Sequence, residues 1–234
     1  MQATVEELAQ ILVFRDLEPS ELERLQPFSQ VQPYQQGEFL MQEGDRLSSK
    51  LYSLLKGSLR VTKTAQTGKE TILRTLFAGE IFAAPAIFGN GIAPATVTAE
   101  TNCQILTIER DGLVEAIRQT PEIALRMLSV FNQRLQLLHD TVHGLVSERA
   151  IVRLAQFIQY FASHSGTEIT PEGQRLNIKL PYYQIARSIG ITYEECVRLF
   201  KTIQSVVTYT RGGKITVLDS EALAAIASGN DSSL

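Results

Sequence analysis

The sequence predicts an α+β chain in three parts: an N-terminal jelly-roll-like β-roll over 1–118, one long helix over 119–148, and a helix-turn-helix with a β-hairpin over 149–234. Three observations carry this. Up to Asn102 the chain alternates apolar and polar residues between regularly spaced glycine turns. From Pro121 apolar residues recur in steps of three and four. Beyond Arg149 helical patterns alternate with two short β-prone pieces.

In the first part, Lys50-Leu51-Tyr52-Ser53-Leu54-Leu55-Lys56-Gly57 and Ser58-Leu59-Arg60-Val61-Thr62-Lys63 read as strands. Turns at Gln36-Gly37-Glu38, Glu43-Gly44-Asp45, Thr67-Gly68-Lys69 and Ala78-Gly79-Glu80 fit short strands closing into a roll. A short helix precedes them from Leu17 to Leu25, starting at Pro19 or Ser20.

In the second part, Pro121 suits a first helical turn and Glu122 complements the dipole there. Leu128, Phe131, Leu135, Leu138, Val142 and Leu145 form a heptad seam, expected to pair with a second copy of the chain. Gln133, Arg134 and Asp140 flank the seam and are expected to tune its register. The competing arrangement lays the helix on the roll through Leu125, Met127 and Leu137. In the third part, Ser163-His164-Ser165-Gly166 and Pro171-Glu172-Gly173 read as loops, and the tail from Ser228 to Leu234 as disordered.

Composition removes several function classes. Hydrophobic residues make up 44% and charged residues 20% of 234, with no apolar run of membrane-spanning length. Met1 to Leu12 carries Glu6 and Glu7 and no basic run, so a cytoplasmic location is expected. Cys103 and Cys196 lack Cys or His at metal-ligand spacing. No phosphate-binding P-loop, Gly-x-Ser-x-Gly or Ser/His/Asp arrangement is present, so an enzyme is not expected. With a net charge of -3, any contact with nucleic acid must come from a local basic patch.

Such a patch follows Leu180. In Tyr182-Tyr183-Gln184-Ile185-Ala186-Arg187-Ser188-Ile189-Gly190-Ile191-Thr192-Tyr193-Glu194-Glu195-Cys196-Val197-Arg198-Leu199-Phe200-Lys201, Ala186 is the small residue that a helix crossing needs. Gly190 supplies the turn. Ile185, Ile189, Cys196 and Leu199 lock the two helices, and Thr192 with Glu195 makes a capping box. The stretch Tyr209-Thr210-Arg211-Gly212-Gly213-Lys214-Ile215-Thr216-Val217 then reads as a hairpin, a wing whose Arg211 and Lys214 reach phosphates. The exposed positions of the second helix, Tyr193, Glu194, Val197, Arg198 and Lys201, form with Thr192 the expected reading surface; Arg198 suits a guanine and Glu194 a cytosine amino group.

These features together resemble the Crp/Fnr superfamily of regulators. The carrying residues are Gly37-Glu38, Glu43-Gly44-Asp45, Leu51 to Gly57, Gly79-Glu80-Ile81, the helix after Pro121, the helix-turn-helix and the Arg211 to Val217 wing. The resemblance implies a cyclic-nucleotide-binding-type sensor roll, a dimerising helix and a winged reader of double-stranded DNA. It also implies a bacterial homodimer binding an inverted repeat, RNA polymerase as a further partner, no cofactor and no membrane. By the same resemblance Glu194 and Arg198 match residues that read the shared core of each half-site. Tyr193 stands where arginine is common.

For the sensor, the resemblance places a ribose acceptor at Glu80 and the phosphate-binding Arg-Ser/Thr pair at Ala93 and Pro94. The base would meet Leu138 and His139. A phosphate without a cation in a buried pocket is costly, so cyclic AMP is not expected to bind, and Glu80 reads as a turn residue. The effector is an unidentified small molecule or none. His139 and His143, one helical turn apart, have no third metal ligand beside them and read as surface or interface residues. The competing function is a ligand-binding or protein-interaction module of the same fold with degenerate DNA reading, suggested by Tyr193 and Glu194-Glu195.

Overall fold

The computed structural model describes residues 1–68, 70–147 and 149–229; side chains of Asp140 and 144–147 are outside this description. The chain divides into two units, Met1–Leu135 and Gln136–Leu234.

The first unit opens with α1 (Val5–Ala9), whose N-terminus closes a capping box between Thr4 and Glu7. In α2 (Pro19–Leu25), Pro19 stands in the first turn, and Glu21 accepts from the Glu18 N–H at 2.8 Å. The strands are β1 (Ser29–Tyr34), β2 (Phe39–Met41), β3 (Lys50–Lys56), β4 (Leu59–Thr64), β5 (Glu70–Leu76) and β6 (Ile81–Phe82). The short α3 (Pro85–Phe88) follows, then β7 (Thr96–Ala99), β8 (Cys103–Glu109), α4 (Arg110–Gln119) and α5 (Glu122–Ser147), which runs on past Leu135 into the second unit.

Two antiparallel sheets result, in the orders β1-β8-β3-β6 and β2-β7-β4-β5. Alternation gives the first sheet two apolar faces. Val31, Leu51, Leu106 and Ile108 face a core shared with Leu8, Phe14, Leu25 and Leu113 of the helical layer. Leu54, Cys103 and Ile105 face the roll interior with Leu59, Leu76, Phe82 and Val97.

The seam helix has two apolar stripes. Ile123 and Met127 are 1% and 2% exposed and join the helical-layer core, with Val130 and Phe131 packed against it. Burying side chains of this size stabilises by about 1.5–3 kcal/mol each. Leu128, Leu135, Leu138 and Val142 are 51–62% exposed. Phe131 therefore parts from these four: it lies on the roll, edge-on to Phe88 at 5.9 Å, and the side chain of Leu145, the last seam residue, lies outside the described residues. Leu125 and Leu137, assigned by the competing pattern to the roll, are 64% and 56% exposed, and only Met127 of that set is buried. Arg134 does not stand free beside the seam, because it bonds the Ile81 carbonyl.

The second unit contains α6 (Ala150–Ser165), β9 (Thr167–Thr170), β10 (Gly173–Leu176), α7 (Tyr182–Ile189), α8 (Tyr193–Thr202), β11 (Val207–Thr210), β12 (Lys214–Val217) and α9 (Ser220–Ala227). Ser163 to Ser165 form the last turn of α6 rather than a loop, and Gly166 ends it at φ 72°. Pro171 and Glu172 turn the β9–β10 hairpin, which extends the wing into a sheet of order β11-β12-β10-β9. Ile151, Leu154, Ala155 and Ile158 give α6 a continuous buried face against α9. The tail assignment falls largely on 230–234, outside the described residues.

Candidate nucleic-acid interface and sensor pocket

The helix-turn-helix forms from local rules. The α7 helix starts at Pro181 and buries Ile185, Ala186 and Ile189; Gly190 then ends it in the left-handed region, φ 72° and ψ 36°. Arg153 of α6 donates to the Ile189 carbonyl at 3.0 Å, satisfying an end group of that helix. Thr192 caps α8, its hydroxyl accepting from the Glu195 N–H at 3.1 Å. Only half of the expected capping box forms among the described residues. The Glu195 carboxylate lies instead 3.8 Å from Arg198, whose side chain is 75% exposed.

The face that α8 buries is Cys196 and Phe200; Leu199, expected to lock the helices, is half-buried. Tyr193, Glu194, Arg198 and Lys201 are exposed and Val197 is half-buried, so the helix carries its basic and aromatic groups outward. Thr192 is exposed but spends its hydroxyl on the cap. On the wing, Thr210 pairs with Lys214, and Arg211 and Lys214 are exposed at the tip.

Sequence reasoning missed the aromatic nest beneath this surface. Tyr182 stacks on Tyr209 at 3.7 Å and 16°, and both meet Phe200 edge-on at 5.4 and 5.2 Å. Tyr193 leans edge-on against Tyr182 at 5.9 Å. The wing also touches the entry of α7 directly: the Leu180 N–H donates to the Gly213 carbonyl at 2.7 Å. A Cβ on Gly213, at φ 81°, would meet Leu180 backbone atoms at 2.9–3.0 Å. The legible signal was the spacing of Tyr182, Phe200 and Tyr209; only the fold brings the three together. Burial pushes the Tyr182 hydroxyl up to about 12, with Tyr209 adding to it. Burial alone takes the Cys196 thiol to about 12 and also raises that of Cys103.

The predicted pocket residues divide between the units: Glu80, Ala93 and Pro94 belong to the first, Leu138 and His139 to the second. Glu80 is not a bare turn residue: its carboxylate lies 3.7 Å from Arg74 and 3.8 Å from Arg134, with about a fifth of its side chain exposed. Ala93 is 1% exposed, its N–H donates to the Asp45 carbonyl at 2.9 Å, and its carbonyl accepts from Gly44 at 2.9 Å. Pro94 is exposed and has no N–H to offer. Leu138 and His139 are exposed. Arg74 and Arg134 were not expected here; the sequence reading sets Arg134 beside the seam and does not single out Arg74. Ala83 is a further surprise, at φ 53°, just ahead of the Pro85 turn that starts α3. A cavity of about 390 Å³ lies elsewhere, lined by Tyr34, Leu40, Lys50, Tyr52 and Thr107 among others and by none of the predicted pocket residues.

Two family models match this chain. The cyclic nucleotide-binding domain covers residues 31–120 and the Crp-like helix-turn-helix domain residues 152–226, together more than two thirds of the sequence. The chain belongs to the Crp/Fnr family of DNA-binding transcriptional regulators. This Crp/Fnr regulator is 26% identical over 189 residues to a "CRP-like cAMP-activated global transcriptional regulator" of Mycobacterium tuberculosis, covering 80% of this chain and 83% of the relative. It is 27% identical over 180 residues to the "cAMP-activated global transcriptional regulator CRP" of Salmonella typhimurium, covering 76% and 84%. Its fold matches a CooA variant from Carboxydothermus hydrogenoformans, with a TM-score of 0.73, 22% identity and coverage of 93% and 95%. It also matches the c-di-GMP-responsive regulator CLP of Xanthomonas campestris, with a TM-score of 0.74, 16% identity and coverage of 87% and 100%. Both matches are likenesses of fold. No described helix is long and apolar enough to cross a membrane.

Proposed function

We propose that this regulator binds an inverted-repeat DNA site as a homodimer and does so without cyclic AMP. The observation that carries the reading is α8: Cys196 and Phe200 are buried while Tyr193, Glu194, Arg198 and Lys201 stand exposed beside the Arg211–Lys214 wing tip. A capped helix with an outward basic face suits a major groove, and a wing beside it suits the phosphates. In this reading Arg198 pairs with a guanine, Glu194 with a cytosine amino group, and Lys201, Arg211 and Lys214 with the backbone.

The homodimer reading rests on Leu128, Leu135, Leu138 and Val142, which repeat at heptad spacing and remain half or more exposed on α5. An exposed stripe of this kind favours a second copy of the same helix. The three-part division at 118 and 148 belongs to the same proposal.

Cyclic AMP does not fit the residues present. Its phosphate would meet Ala93 and Pro94, neither of which supplies a cation, and the backbone of Ala93 is already bonded to the Gly44-Asp45 turn. Glu80, which would accept from the ribose, already faces Arg74 and Arg134. Selection of bound sequences from random duplex DNA, with purified protein and no added nucleotide, tests the whole reading. The expected outcome is an inverted repeat with half-site centres about one turn of DNA apart. A selection that enriches only in the presence of cyclic AMP, or enriches single half-sites, overturns it.

A further inference from the structure

We infer that Tyr193 is a specificity-determining residue that reads the methyl group of a thymine, and that Tyr182 is the positioning residue that aims it. This rests on the DNA-reading role proposed above. Tyr193 occupies the first position of α8, the end of a recognition helix that meets base edges, and the residue is 52% exposed. A phenol cannot offer the two parallel hydrogen bonds that identify guanine or adenine, whereas an aromatic side chain makes the apolar contact by which a thymine methyl is recognised.

Aim comes from the nest behind it. Tyr182 is fixed on both sides, stacked on Tyr209 at 3.7 Å and edge-on to Phe200 at 5.4 Å; Phe200 itself is 3% exposed. Tyr193 rests edge-on against this fixed ring at 5.9 Å. An exposed aromatic that already has one wall loses less rotamer freedom on binding, which favours a specific contact over a chance one. The Leu180–Gly213 hydrogen bond and the Tyr182–Tyr209 stack join the wing to the same entry segment of α7. Recognition helix and wing therefore share one foundation, and Tyr182 stands at its centre.

A thymine-to-deoxyuridine scan across the enriched site, using the full chain, tests this. Each substitution removes one methyl and leaves the hydrogen-bonding edge intact. The unsubstituted protein is expected to lose about fourfold in affinity at one position per half-site, the value of one buried methyl-sized group. Tyr193→Ala abolishes the difference between thymine and uracil there, and Tyr193→Phe retains it. Tyr182→Ala weakens the same discrimination, and Tyr182→Phe restores it. A flat scan, or an equal loss in Tyr193→Ala, overturns the assignment and leaves the DNA-reading role standing. So does a uniform weakening at all sequences in Tyr193→Phe, which would make the hydroxyl a phosphate contact. Selection that enriches no sequence overturns both readings.

Discussion

Cys196 and Arg198 lie two residues apart on α8 and face opposite worlds. Cys196 is fully buried, and the raised thiol keeps almost no thiolate at neutral pH. Cys103 is buried as well, its thiol donating to the Ser58 carbonyl at 3.2 Å. A disulfide-exchange thiol reagent at pH 8 is therefore expected to find no reactive cysteine in the native protein and two after denaturation; rapid native labelling would contradict the buried α8 face. Arg198, its own side chain 75% exposed, is tethered among the described residues by the half-buried Glu195 at 3.8 Å, an arrangement worth little. Arg198→Ala should leave thermal stability within about 0.5 kcal/mol of the parent. In quantitative binding assays it should cost about 1–3 kcal/mol of DNA affinity and relax discrimination at one base pair. Legibility at this scale followed locality. Thr192 as a cap and Gly190 as a turn depend on neighbours within four residues and were readable. That Phe200 rather than Leu199 is buried depends on Tyr182 and Tyr209, which lie on the Phe200 side, and no helical period reports that.

At the scale of elements, α5 carries the clearest contrast. Its roll-facing stripe, Ile123 and Met127, is core, so Met127→Ala should lower the unfolding free energy by about 2–4 kcal/mol, read from denaturant midpoints. Its exposed stripe offers the opposite result. Leu135→Glu should leave the folded chain intact by circular dichroism and shift the sedimentation coefficient from dimer to monomer; an unchanged coefficient would remove the seam as the dimer contact. The three-four spacing made the helix legible, but a heptad pattern and a core stripe share positions on neighbouring faces. Phe131 fits both, and only Phe88 beside it decides. Short helices were the least legible: α1 and α4 are too brief or too polar to announce themselves by period, and α6 runs through a Ser-His-Ser stretch that composition reads as loop.

On the whole-molecule scale, the chain carries a small net negative charge yet presents Arg198, Lys201, Arg211 and Lys214 in its second unit. DNA affinity should fall linearly in a plot of its logarithm against the logarithm of salt concentration, with a slope set by the phosphates neutralised. Alkali should act on the same unit. The Tyr182 hydroxyl titrates near 12 in the fold against 10 in the unfolded chain, and Tyr209 and Cys196 shift the same way. Their combined stabilisation is intact below pH 9, the ordinary value of the Cys196 thiol, and is lost as pH rises toward 12. Denaturant midpoints should drop over that interval, and less so in Tyr182→Phe. Glu80 has a consequence at this scale too. A carboxylate built into the same chain as Arg74 and Arg134 is present at a tethered effective concentration that no dilution lowers. Any dissolved anion reaching those guanidinium groups enters a competition against a resident rival, so its dose–response curve reports the difference between two affinities rather than one.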